Sequence, residues 1–272
     1  MYLQNESLPT AQENLAMDEA LVEVADRESE SSTSEQSASD FGVNNEVLRL
    51  WELASPCVVL GRASKWREEI RQAACERDGV PVLRRVSGGA TIIAGPGCLM
   101  YSVLISYQHR PAWRALDVAH REVMNRIRDA VQAATELFQL KLQIEIDGTC
   151  DLTIGGRKIS GNAMRCKRNW MIYHGTIMYA MPLKLLSDYL QEPTRQPDYR
   201  MKRAHETFVA NLLQPANGVL PTAFRAELER QLVIQWSATK SWETSPLKED
   251  VERECVKLIA SRYSNPEWHC DR

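Results

Sequence analysis

Asp151-Leu152-Thr153-Ile154-Gly155-Gly156-Arg157-Lys158-Ile159-Ser160-Gly161-Asn162-Ala163 is the stretch on which the fold turns. Two extended runs flank a Gly-Gly pair, where a positive φ costs little, so the stretch predicts a β-hairpin. Just upstream, residues 142–146 alternate Leu, Gln, Ile, Glu, Ile, the period of a half-buried strand. Downstream, residues 170–179 (WMIYHGTIMY) form the next expected strand. Further strands are expected at 46–53, 57–61, 80–85 and 99–107.

Helical spacing appears on both sides of this block. Met17, Ala20, Leu21, Val24 and Ala25 place a helix over residues 13–26. Val123, Ile127, Ala130, Val131, Ala134 and Phe138 share one face of a helix over 114–138. Shorter helices are expected at 66–77 and 182–190. Beyond about residue 210, Thr222 reads as the cap of a helix carrying Phe224, Leu228 and Leu232. Ser245-Pro246 reads as N-cap and N1 of another, with Val251, Cys255, Leu258 and Ile259 inward. Hairpins mixed with long helices, without internal repeats, predict an α+β fold with a mixed or largely antiparallel sheet flanked by helices. The expected division is a main domain over 1–210 and a small helical C-terminal segment over 211–272. Residues 27–40 (RESESSTSEQSASD), with almost nothing to bury, read as a mobile surface loop.

The totals narrow the functional classes. The chain has 272 residues, 44% of them hydrophobic, enough for a substantial core. The net charge of −3 gives no long-range attraction to nucleic acid. The N-terminus has no basic-then-apolar leader, and no run reaches the roughly 18 apolar residues of a membrane helix, so a cytoplasmic chain is expected. The seven cysteines contain no C-x-x-C pair, which argues against a zinc ribbon or a disulfide framework.

Four segments carry residues suited to chemistry. Arg84-Arg85-Val86-Ser87-Gly88-Gly89-Ala90 follows a strand; adjacent glycines admit close approach, and guanidinium forks suit phosphate or carboxylate. Its spacing is neither a P-loop nor a dinucleotide fingerprint, and alone it also reads as an ordinary Gly-rich turn. In the hairpin, Lys158 has basic neighbours at 157, 165, 167 and 168 and small neighbours at Gly161 and Ala163. An ammonium there suits an anionic substrate, and a solvated basic face is the plainer alternative. His174 lies in a strand without an acidic partner assignable from sequence. Cys150 precedes Asp151 and would serve as a nucleophile only with a nearby base such as Lys158 or His174.

Taken in order, Glu13–Glu19 (ENLAMDE), Leu48-Arg49-Leu50-Trp51, Ser55–Arg62 (SPCVVLGR), RRVSGGA, Leu99-Met100-Tyr101-Ser102, DLTIGGRKISGNA and HGTIMY resemble the lipoate-protein ligase A family, part of the biotin/lipoate ligase and octanoyltransferase superfamily. The similarity spans about residues 10–205, and Arg262–Trp268 resembles the family's C-terminal end. The resemblance implies a biotin-ligase-like catalytic fold. It implies that Lys158 is the substrate lysine. Arg85, Ala90, Thr91, Ile92 and Ile93 match the adenylate-binding segment, with Arg84, Ser87, Gly88 and Gly89 beside it. Asp151, Gly161, Asn162, Ala163 and His174 fall in matched substrate-binding motifs.

The implied reaction activates lipoate or octanoate with ATP and Mg²⁺ to an acyl-AMP. The acyl group then passes to a lysine on a lipoyl carrier domain of a 2-oxoacid dehydrogenase or a glycine-cleavage H protein. A cation that bridges two anions is what this step needs. No set of metal ligands is assignable from the sequence. Gly95-Pro96-Gly97 resembles the octanoyltransferase branch instead, which keeps acyl transfer from acyl-carrier protein, through Cys150, as the alternative. The short C-terminal part implies a separate accessory subunit. A non-catalytic subunit binding the lipoyl carrier is a third alternative, against which the presence of Lys158 counts.

Overall fold

The computed structural model describes residues 1–31, 45–193 and 196–270. Its centre is an eight-stranded mixed sheet in the order β11-β1-β2-β6-β10-β9-β8-β7. These strands are β1 (Tyr2–Gln4), β2 (Val47–Trp51), β6 (Cys98–Ser106), β7 (Glu145–Asp147), β8 (Asp151–Ile154), β9 (Arg157–Cys166), β10 (Trp170–Met178) and β11 (Lys240–Ser241). β1 runs parallel to both its neighbours, and the other pairs are antiparallel. A second, three-stranded sheet has β3 (Cys57–Leu60) between β4 (Val82–Arg84) and β5 (Ile92–Ala94). The α+β expectation with a mixed sheet holds.

Two hydrophobic cores fill the sheet's two faces. Helix α1 (Ala11–Ser31) covers one, lying over β10 and β6 and packing on α8 (Lys248–Leu258). Met17, Ala20, Leu21, Val24 and Ala25 are all buried there, as their spacing required. Helix α4 (Leu116–Leu137) and α7 (Pro221–Trp236) pack together over the other face. The short helices α2 (Trp66–Glu69), α3 (Gln72–Asp78), α5 (Lys184–Tyr189), α6 (His205–Phe208) and α9 (Pro266–Cys270) complete the described α-helices. The hairpin forms as predicted, with Gly155 at φ 52° and Gly156 at φ 70°, the left-handed pair a tight two-residue turn requires.

Several local expectations are corrected. Residues 27–31 belong to α1: Trp170 Nε1 donates to Ser29 Oγ at 2.6 Å and Arg27 pairs with Glu254, securing its last turn. The rest of the expected loop, 32–40, lies outside the described residues. The 66–77 helix divides into α2 and α3 because Ile70 bridges to Leu190 and Arg71 N bonds Tyr189 O. Strand 142–146 shrinks to β7, since the Gln132 side chain takes the 142 carbonyl and the 144 amide. α7 starts at Pro221, not after Thr222, because proline suits N1. α8 starts at Lys248; Ser245 instead caps a turn by accepting from Leu247 N.

Candidate active site

The α1-covered face of the large sheet opens into a cleft that is also lined by the small sheet and by residues from 186–193 and 200–209. Its lining is mostly apolar: Leu15, Trp51, Val59, Ile92, Ile93, Met100, Met178, Leu186, Leu190, Phe208 and Val209. Such a cleft suits an aliphatic chain whose polar end is met by a few placed groups.

Lys158 is one of those groups. A β-bulge between Leu152 and Thr153 shifts the register of β8 on β9 and brings Lys158 to the cleft side. Its side chain lies across Gly161, where a Cβ would stand 2.8 Å from both Cε and Nζ. The ammonium is bonded to Asp151 Oδ1 at 2.8 Å, and Tyr199 OH donates to Asp151 Oδ2 at 2.6 Å. Only about a quarter of the Lys158 side chain is exposed (26%), so the charge stands at the cleft wall and not in bulk solvent.

The register assembles a polar row beside it. Arg49 on β2 pairs with Ser102 on β6, Ser102 with His174 on β10, and His174 with Ala163 on β9. From α1, Asp18 reaches down onto this row. It accepts from Arg49 Nη1 at 2.8 Å and Ser102 Oγ at 2.7 Å, and its Oδ2 lies 3.1 Å from His174 Nδ1. Burial alone would raise the Asp18 pKa, but Arg49, His174 and Ser102 outweigh it and hold the carboxyl below its ordinary value. On the other side of the ring, Ser87 Oγ is 2.5 Å from His174 Nε2.

The Gly-rich segment divides by role. Gly89, Ala90, Thr91, Ile92 and Ile93 line the cleft, and Gly88 is exposed next to them. Arg85 also lines it, but its guanidinium is occupied by the carbonyls of Val59, Gly88 and Ala90 and by Ser87 Oγ, and burial lowers its pKa to about 10. It shapes the loop. Arg84 points away, donating to the carbonyls of Gly61, Ser64, Trp268 and His269. It ties the C-terminal helix to the loop. Asn162 borders the cleft, while its amide is bonded to Cys150 O, Ser160 Oγ and Tyr101 OH.

Cys150 is separated from this group. It packs against the core on the opposite sheet face, and Sγ donates to Asn162 O at 3.2 Å. Its thiol is pushed up to about 11, by burial first and Asp151 second, and Lys158 offsets only part of this. None of the seven cysteines lines the cleft.

The sequence reading missed Asp18, Arg49, Glu69 and Arg200. Glu69 reaches the cleft bonded to Thr91 Oγ1 and Ser64 Oγ. Arg49 did carry a signal, since a charge inside the apolar run Leu48–Trp51 requires a buried counter-charge. Asp18, inside the apolar stripe of α1, is that partner.

The whole chain aligns with lipoate-protein ligase LplJ of Bacillus subtilis at 24% identity, spanning 74% of that protein. It is also 24% identical to octanoyltransferase LipM of Carboxydothermus hydrogenoformans, over 94% of this chain and 93% of that one. Among solved structures, a bi-partite lipoate protein ligase of Thermoplasma acidophilum, studied with its E2 lipoyl domain, superposes with a TM-score of 0.72 at 19% identity, covering 99% of this chain and 95% of that one. The model of the lipoyl protein ligase A/B catalytic domain matches residues 10–233, and the chain accordingly belongs to that family of lipoate ligases and octanoyltransferases.

Proposed function

We propose that the chain is an ATP-dependent lipoate-protein ligase. It would activate lipoate or octanoate, with Mg²⁺–ATP as co-substrate, and pass the acyl group to a lysine of a lipoyl carrier domain. One observation supports this over the transferase reading: the cleft is lined by an ammonium, Lys158, and by no cysteine. A fatty carboxylate and an α-phosphate both need a cation as they approach, whereas an acyl-cysteine route needs a thiolate in the cleft. Cys150 has neither the position nor a lowered pKa.

In this reading the apolar walls hold the chain and Lys158 meets the carboxylate, exchanging its bond to Asp151 for one to substrate. Gly88 to Ile93 lie along the nucleotide. The division into residues 1–210 as the acyl- and adenylate-binding part fits the cleft lining, which runs from Leu15 to Val209. Residues 211–272 are then a small helical closure, and a larger accessory unit would come from a separate subunit, in line with the bi-partite ligase of Thermoplasma acidophilum. The octanoyltransferase reading draws on the near-equal lengths of this chain and LipM.

Mass spectrometry of a lipoyl carrier domain separates the two. Acylation is expected with lipoate and ATP. Acylation only from octanoyl-acyl-carrier protein without ATP would establish the transferase instead. Lys158→Ala is expected to abolish the product in either arm.

A further inference from the structure

Among the described residues lining the cleft, Lys158, Arg85 and Arg200 carry a full positive charge. Lys158 is held by Asp151, and the Arg85 guanidinium is filled by carbonyls and Ser87 Oγ. Arg200 differs from both. Its Nε donates to Arg203 O at 2.9 Å and its Nη2 to Glu192 Oε2 at 2.5 Å, while Nη1 has no hydrogen-bond partner among the described residues. That nitrogen is not sealed in the interior either. Since Arg200 as a whole is 4% exposed, its small open edge belongs to the cleft it lines.

The backbone fixes this side chain in place. Arg200 ends a 3-10 turn, Asp198–Arg200, and the next two residues, Met201 and Lys202, take left-handed backbone at φ 51° and 57°. Consecutive non-glycine residues in that region are strained and persist only where the surroundings over-determine them. Here Arg203 N and Nε both donate to Arg200 O, at 3.0 and 3.1 Å, and close the turn. The Arg200 guanidinium lies over the Phe208 ring, 4.7 Å from its centroid. Phe208 precedes Val209, which bridges to Lys158 in parallel. Tyr199, next to Arg200, donates to Asp151, the partner of Lys158. Two paths through the fold thus bring Arg200 to the neighbourhood of the Lys158 ammonium.

We propose that Arg200 is the phosphate-binding cation of the cleft, donating from Nη1, and from Nη2 once Glu192 gives way, to the non-bridging oxygens of the nucleotide's α-phosphate. The inference rests on the ligase reading. In that reaction a carboxylate oxygen bonds to the α-phosphorus, the bridging bond to the β-phosphate breaks, and pyrophosphate leaves with the electron pair; no proton moves. Two anions must meet, so Lys158 on the carboxylate needs a second cation on the phosphate. Arg85 does not serve, because its donors are committed to the loop. Glu192 holds the place of the phosphate: its side chain is 51% exposed, so the pair is weak and exchangeable for an anion that matches the guanidinium fork.

The test measures binding of two ligands to the full chain by calorimetry, lipoate and preformed lipoyl-AMP. Wild type is expected to bind lipoyl-AMP more tightly than lipoate. Arg200→Met keeps an apolar chain over Phe208 and removes the donors. It is expected to weaken lipoyl-AMP roughly 10- to 100-fold, the scale of a hydrogen bond to a charged group, and to leave lipoate within about a factor of two. Equal weakening of both ligands would overturn the proposal in favour of a shaping role, and unchanged lipoyl-AMP binding would overturn it outright. Should Arg200→Met not fold, Glu192→Gln decides. With the competing charge gone, lipoyl-AMP should bind a few-fold tighter and lipoate as before, and unchanged or weaker lipoyl-AMP binding counts against Arg200. A wild-type chain that gains nothing from the adenylate sinks the ligase reading and this inference with it; a wild-type gain that Arg200→Met retains sinks this inference alone.

Discussion

At Gly161 the missing side chain is what lets Lys158 lie along the cleft wall, with a Cβ there coming within 2.8 Å of the ammonium. Gly161→Ala should therefore leave the fold intact, since the clash falls on the far end of a flexible side chain. It should displace the ammonium by an ångström or so, and misplacement on that scale costs roughly 100-fold in rate. Steady-state kinetics at saturating lipoate and unchanged circular dichroism check it; an unaffected kcat would mean that the ammonium does not act from this position. At Cys150 the expectation is the reverse. The thiol sits behind the sheet with its pKa near 11, so Cys150→Ser should keep most of the carrier acylation. An inactive Cys150→Ser enzyme would make the thiol a nucleophile.

At the scale of elements, the seam between α1 and the sheet is held by charge as well as by apolar packing. Arg49 and Asp18 form an ion pair whose side chains are 0% and 3% exposed. Removing one member of such a pair leaves the other buried without its counter-charge, which costs about 3–5 kcal/mol. Arg49→Met should thus lower the denaturant midpoint by the equivalent of about 3–5 kcal/mol, measured by urea unfolding at neutral pH. A loss below about 1 kcal/mol would show that Ser102 and His174 suffice to hold Asp18.

For the whole molecule, the C-terminal helix closes the structure through His269. Nδ1 accepts from Arg84 N and Nε2 donates to Tyr263 O, each at 2.9 Å, which requires the neutral ring. Burial lowers the His269 pKa, the Tyr263 bond opposes this, and Arg84 lowers it further. Above the ordinary histidine value of about 6.5 the ring is neutral folded or unfolded, and its stabilisation is complete. As pH falls below that value the unfolded chain binds a proton that the folded chain resists, so stability falls. Urea midpoints taken from about pH 7.5 down to about pH 5 should decline, and His269→Gln should flatten that decline. Asp18, held below its ordinary value, adds a loss of the same sign only at lower pH.

Periodicity determined the long helices and the central strands, because burial of one face writes an apolar period into the chain that neighbours do not alter. The Gly155-Gly156 turn was equally legible, since its backbone geometry admits few other residues. The order of motifs likewise identified the family, and Lys158 and His174 were legible as candidates. What the chain alone did not contain was facing. Neighbours in sequence, Cys150 and Asp151, part to opposite sides of the sheet; Arg84 and Arg85 part to the tail and the loop. The partners of His174, Asp18 and Ser87, lie 156 and 87 residues away from it. Only strand register and the packing of α1 bring them into contact, because a side chain's chemistry is local, whereas its counter-charge is a property of the folded surface it meets.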